Sequence, residues 1–277
     1  MKAKNQTYSL ATLLAMGLTT SGAFAAANAF DTAANYSGGW GAANSPNLGS
    51  GFGAWSILDN NGGGSAPYAG TYLDLATYGN PDTVLSGTPS SSWGTYANGA
   101  ANAFIDLTRQ FNTGGGTASL LNQTFSAAYN SSGIGGAGQS VSLSIGTAFN
   151  LGYAGGGADN MTLSVDGGAA NAVAVNYAQL AAGINFALTV TGPANSASES
   201  YSLVISPFAG GPAISSVSGT FDSTAYNTSS FTFADNNTSN NQFFNNLSVT
   251  TAAVPEPGSL ALFAGGLAAL VGVRRRK

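Results

Sequence analysis

The sequence predicts an all-β body, an antiparallel β-sandwich or jelly roll, from three observations. Apolar and polar residues alternate over short runs, turn residues punctuate those runs roughly every 8 to 12 positions, and no helical period appears outside the two ends. One-face-apolar strands of this kind bury their apolar sides by packing sheet on sheet.

The first element in chain order is a leader. Lys2 and Lys4 form a charged start, Leu10 to Leu18 an apolar run too short to span a bilayer, and Ala23-Phe24-Ala25 and Ala27-Asn28-Ala29 are small-residue cleavage sites. Residues 1–29 are therefore expected to be a signal peptide, with signal peptidase and the general secretion machinery as partners.

The body, 30–253, is expected to be one domain. Its first half is irregular, with Gly38-Gly39, Asn61-Gly62-Gly63-Gly64 and Gly114-Gly115-Gly116 as punctuation and strands expected at Ala103–Thr108 and Thr124–Tyr129. Later alternation is strict. Val141–Ile145 and Met161–Val165 read as strands; Asp166-Gly167-Gly168 is a turn that leads into a partner strand over Asn171–Tyr177, with Val173, Val175 and Tyr177 on one face. Ile184–Thr191 and Tyr201–Ser206 continue the series, and shorter strands are expected at Ser216–Phe221, Ser230–Ala234 and Phe243–Thr250.

Charge and residue type exclude several functions. Between Phe30 and Ala253 there is one basic residue, Arg109, against ten acidic ones, so nucleic acid is not a partner. The chain has no cysteine and no histidine, and the body no lysine; disulfides, thiolate or His-based nucleophiles, common zinc sites and Schiff-base chemistry are thereby removed. Glycoside hydrolysis needs two nearby carboxylates, and no acidic cluster lies on one strand. The chain reads as a non-enzyme.

Two binding chemistries remain. Asp59-Asn60-Asn61, Asp159-Asn160 and Asp235-Asn236-Asn237 carry hard oxygen ligands, so Asp59, Asp159 and Asp235 are candidate calcium ligands, although none has the EF-hand spacing and the same residues favour plain turns. Aromatics crowd the first third, among them Tyr36, Trp40, Trp55, Tyr72, Trp93 and Tyr96, and such rings either stack on sugars or pack a core. Trp40 and Trp93 are the candidate carbohydrate-binding residues. Trp40, between Gly39 and Gly41, is expected to be exposed; Trp55, in an apolar run, is expected in the core.

The C-terminus is the most specific feature. Val254-Pro255-Glu256-Pro257 is followed by an uncharged run, Ser259–Val273, and by Arg274, Arg275, Arg276 and Lys277. As a helix those fifteen residues would reach about 22 Å against a hydrocarbon core of about 30 Å, a marginal span that flanking arginines assist by snorkelling. The basic cluster belongs on the cytoplasmic side, which leaves the body outside. The prolines keep Val254–Pro257 extended and readable at the membrane surface.

These three elements, in this order at the extreme C-terminus, resemble the PEP-CTERM sorting signal of exported proteins in Gram-negative, exopolysaccharide-producing bacteria. The resemblance covers Val254 to Lys277. It implies an inner-membrane intermediate, processing by a membrane-embedded exosortase, and delivery to the cell surface or extracellular matrix. The alternating body, with its terminal Phe243-Phe244-Asn245-Asn246-Leu247-Ser248-Val249 strand, resembles the concanavalin-like jelly rolls. Three functions are consequently weighed: a matrix protein associated with exopolysaccharide or biofilm, a lectin-like polysaccharide-binding module, and a glycan-degrading enzyme.

Overall fold

The computed structural model describes residues 27–251 apart from 37–38, 41–46, 62–68, 76–83, 86–90, 99–101, 112–122, 132, 135, 158–159, 192–195 and 237–240. The leader to residue 26 and the tail from residue 252, with the expected membrane-spanning helix, lie outside the described residues. Among the described residues, no helix is long and apolar enough to cross a membrane.

Among the described residues, fifteen strands form two antiparallel sheets. In chain order they are β1 (Ala27–Asp31), β2 (Phe52–Asn61), β3 (Ala69–Leu75), β4 (Ser91–Ala97), β5 (Ala103–Phe111), β6 (Gln123–Ser131), β7 (Ser140–Ile145) and β8 (Phe149–Ala154). There follow β9 (Met161–Val165), β10 (Asn171–Val173), β11 (Ile184–Thr191), β12 (Glu199–Pro207), β13 (Ser215–Phe221), β14 (Ser230–Asn236) and β15 (Asn241–Thr251). One sheet runs β13-β12-β11-β6-β15-β4-β3, with β1 also paired to β15; the other runs β10-β9-β8-β7-β14-β5-β2. The expected antiparallel β-sandwich is what the chain forms.

Period-two alternation sets the faces. In β5, Ala103, Ile105, Leu107, Arg109 and Phe111 are buried while the residues between them face outward. The inner faces meet across a seam of rings: Phe233 of β14 stacks on Phe244 of β15 at 3.9 Å between centroids, and Phe244 stacks on Trp93 of β4 at 5.6 Å. Each such ring contributes about 1.5–3 kcal/mol by leaving water.

The second-half strands fall where the alternation places them, with one correction. The expected strand over Asn171–Tyr177 stops at Val173, and Tyr177 instead opens a short helix, α1 (Tyr177–Ala181). Asn176 accepts from the Gln179 backbone N–H and the Gln179 side chain accepts from that of Asn176, each at 2.9 Å. This reciprocal cap satisfies two helix donors, and it stops the strand locally.

At the other end, β1 takes in Ala27, Asn28 and Ala29, which the sequence reading assigned to the leader. Its Asp31 enters the interior and meets Arg109 at 2.7 Å, both side chains fully buried. Tyr36, in a 3₁₀ turn over Ala33–Tyr36, donates its hydroxyl to the same carboxylate oxygen as Arg109, Asp31 Oδ2, at 2.6 Å. The Thr32 N–H and Asn35 amide donate to Oδ1, and Arg109 also donates to Asn47 Oδ1 at 2.8 Å. The guanidinium lies 5.0 Å from the Trp55 ring centre and 5.4 Å from that of Phe52. Gly49 is required here, because a Cβ at that position would come within 2.5 Å of the Asp31 carboxyl carbon.

Two measurements check this description. Leu163→Ala and Leu203→Ala, at buried positions on opposite sheets, should each cost about 2–5 kcal/mol in denaturant unfolding, whereas Leu58→Ser, at a residue 58% exposed, should change stability by less than about 0.5 kcal/mol. Equal effects at the three positions would mean that the faces are misassigned.

Burial, and then the bond to Asp31, push the Tyr36 hydroxyl up to about 12. Unfolded tyrosine gives up its proton near pH 10, so the fold binds more protons than the unfolded chain between about pH 10 and 12 and must lose stability as pH rises through that window. Below it, Tyr36 contributes no pH dependence. Tyr36→Phe should flatten the loss between about pH 10 and 12, although burial raises Tyr129 as well and leaves a residual slope.

Candidate functional site

The two tryptophans expected to carry sugar binding are in the core. Trp40 is 7% exposed and Trp93 is fully buried. Trp40 lies edge-to-face on Trp55 at 5.5 Å and near Phe244 at 6.2 Å, and Trp55 meets Trp93 at 5.3 Å. The flanking glycine that suggested exposure does the opposite: Gly39, with φ of +116°, donates to the Tyr36 carbonyl and turns the chain so that Trp40 points inward. Trp55 is buried, as expected.

The three candidate calcium ligands are not assembled together. Asp59 is exposed on β2, and Asp159 lies outside the described residues. Asp235 is fully buried and accepts from the Thr95 hydroxyl at 3.2 Å; Thr95 also donates to Gln242 Oε1 at 3.3 Å, and Gln242 donates to the Tyr129 hydroxyl at 2.8 Å. Asp59 and Asp235 both pair in register with Ile105, so two strand spacings, about 9.5 Å, separate their backbones. Among the described residues, no group of three or more acidic side chains could hold a metal ion.

What reaches the outside is a pair of tyrosines. The chain carries the tripeptide Gly-Thr-Tyr twice, at Gly70-Thr71-Tyr72 in β3 and Gly94-Thr95-Tyr96 in β4. The antiparallel register matches Gly70 with Tyr96, Thr71 with Thr95 and Tyr72 with Gly94. Each ring therefore lies over the other strand's glycine: a Cβ on Gly94 would sit 2.5 Å from the Tyr72 ring, and one on Gly70 would sit 2.6 Å from the Tyr96 hydroxyl oxygen. The ring centres are 6.2 Å apart, and both residues are half-buried.

Phe243, Leu85, Ala128 and Phe208 pack beside Tyr72 as a small second core on this side of the sheet. Two residues beyond Tyr96, the side-chain oxygen of Asn98 is buried and, among the described residues, accepts no hydrogen bond. The sequence signal for this site was the repeated Gly-Thr-Tyr, which the wider crowd of aromatics conceals.

Hydroxyls and amides dominate the rest of the outward faces. On one sheet Ser56, Thr108, Thr232, Ser144, Asn150 and Ser164 follow one another in register across β2, β5, β14, β7, β8 and β9. Thr108 and Thr232 are bonded at 3.1 Å, and Asn150 donates to Ser144 at 2.8 Å. In the neighbouring row, Asp106 is pushed up by burial. The other sheet repeats the pattern with Ser218, Ser202, Thr189, Thr124 and Thr250.

Comparison with known proteins adds one assignment at the C-terminus. No curated protein sequence matches the chain. Among solved structures, the described fold is similar to the exoplasmic/lumenal domain of VIP36 in its metal-free form, at 7% identity over 73% of this chain and 86% of that one, with a TM-score of 0.41. It is similar to the same domain in its Ca²⁺/Man3GlcNAc-bound form, at 8% identity over 74% of this chain and 92% of that one, with a TM-score of 0.40. A lectin from Bauhinia forficata in complex with GalNAc shows 5% identity over 72% of this chain and 100% of that one, with a TM-score of 0.39. At these identities the likeness is one of β-sandwich fold alone. Residues 253–277 match the PEP-CTERM protein-sorting motif, so the chain carries the sorting signal of exosortase-processed, exported proteins.

Proposed function

We propose that this chain is a non-enzymatic surface or matrix protein of a Gram-negative bacterium. It is exported behind its leader, held at the inner membrane by residues 254–277, and freed by an exosortase to join the exopolysaccharide layer or biofilm. The observation that carries this reading is the sorting motif at 253–277, which begins two residues after the last strand of the body ends at Thr251. The sequence supports the non-enzymatic part, since a body with no histidine, cysteine or lysine lacks the usual bases and nucleophiles.

A second reading, a polysaccharide-binding module, is favoured by the Tyr72–Tyr96 pair. Partly exposed rings laid on a sheet offer stacking to a sugar face. The hydroxyl-rich faces around them suit a neutral glycan. Calcium stays a proposal, limited to Asp59 and Asp159, because Asp235 is committed to Thr95 inside the core.

Replacing Val254–Pro257 by alanines should leave the protein in the membrane fraction with its tail attached. Undiminished release of tail-free protein would refute sorting through this motif. Reversing the charge of Arg274, Arg275, Arg276 and Lys277 should derange processing in the same fractionation, because the positive-inside bias is lost.

For the second reading, Tyr96→Ala should reduce retention on the host's own polysaccharide while Trp40→Ala lowers stability by about 3–5 kcal/mol. Retention unchanged by Tyr96→Ala leaves the matrix reading alone.

A further inference from the structure

We infer that the leader is cut after Ala25, so that the mature protein begins at Ala26 with β1 whole; this rests on the export reading above. Small-residue sites compete along this stretch. Besides Ala23-Phe24-Ala25 there are the overlapping Ala25-Ala26-Ala27 and then Ala27-Asn28-Ala29, and composition ranks none above the others. The fold does. A cut after Ala27 or Ala29 falls inside β1, whereas a cut after Ala25 leaves the strand untouched.

β1 fills a definite place. β15 is paired along one side by β6, and on its other side β4 covers only Asn241–Phe244. The rest of that side is taken by β1, through Ala27 with Thr250, Ala29 with Val249, Phe30 with Ser248 and Asp31 with Leu247. Removing Ala27–Ala29 would strip the last turn of this pairing from a strand whose Leu247 and Val249 are fully buried, and would leave backbone groups of an interior strand unpaired.

Ala29 itself is 2% exposed and belongs to the core. A cut after it would also place a charged ammonium on Phe30. The N–H of Phe30 donates to the Ser50 carbonyl at 2.8 Å, and its neighbour Asp31 already has its charge matched by Arg109. Ala27–Ala29 are thus residues of the folded body, and the cleavage determinants lie before them.

The step is hydrolysis of the Ala25–Ala26 peptide bond by signal peptidase. The oxygen of water joins the Ala25 carbonyl carbon and a proton goes to the Ala26 nitrogen, giving a leader that ends in a carboxylate and a body that begins with an amine.

The test is terminal mass spectrometry of the protein secreted by its own host from the full-length gene. A first residue of Ala26 is expected. A start at Asn28 or Phe30 overturns the inference and leaves export standing, whereas a chain retained in the cytoplasm with Met1 intact overturns export itself. Ala25→Tyr in the full chain separates the sites further. It spoils both Ala23-Phe24-Ala25 and Ala25-Ala26-Ala27 but leaves Ala27-Asn28-Ala29 intact, so loss of the mature form is expected. Continued efficient maturation with Phe30 first would refute the assignment.

Discussion

The ion pair between Asp31 and Arg109 is the constraint around which the N-terminal third is arranged. A buried carboxylate and a buried guanidinium are each costly; further hydrogen bonds serve the carboxylate and the Nη2 of Arg109, and the Trp55 and Phe52 rings lie against the guanidinium. Tyr36, Asn35 and the Thr32 backbone serve the carboxylate, while Asn47 serves the cation and ties itself to the Phe52 carbonyl at 2.7 Å. Thr32, Asn35 and Tyr36 come from the few residues just after β1, and Asn47 from just before β2. Trp40, four residues beyond Tyr36, packs on Trp55 and Trp93.

The same pair has an effect on the surface. Arg109 is the one basic residue between Phe30 and Ala253, and it is inside. The surface of that segment consequently carries carboxylates, hydroxyls and amides but no cationic side chain. Such a surface repels anionic polymers and offers neutral ones a dense set of hydrogen-bond groups.

Much of the second half was legible because its strands obey strict alternation; Val141–Ile145, Ile184–Thr191 and Tyr201–Ser206 fall within β7, β11 and β12. β3 and β4 were not legible, since glycines replace apolar residues at Gly70 and Gly94 and the missing side chains are supplied by tyrosines across the strand. Tertiary packing also overrode a local cue at Trp40, where glycine neighbours suggested a solvent-exposed loop. Tyr177 failed as a strand residue because Asn176 and Gln179, three positions apart, form a helix cap that alternation does not register. At the candidate site, identical Gly-Thr-Tyr segments become meaningful only once antiparallel pairing sets each glycine opposite the other's ring.

The final strand of the body lies in the interior of its sheet: β15 sits between β6 and the pair β4 and β1. A chain that crosses a membrane from its N-terminus delivers this strand last. Until Asn241–Thr251 emerges, β6 and β4 have no common neighbour and β1 lacks its partner strand, from which more than two hundred residues separate it in sequence. Closure over so long a loop is slow, and the apolar seam stays open while it is pending. Folding is therefore coupled to the arrival of β15, so a chain truncated before it would remain an open, aggregation-prone half-sandwich.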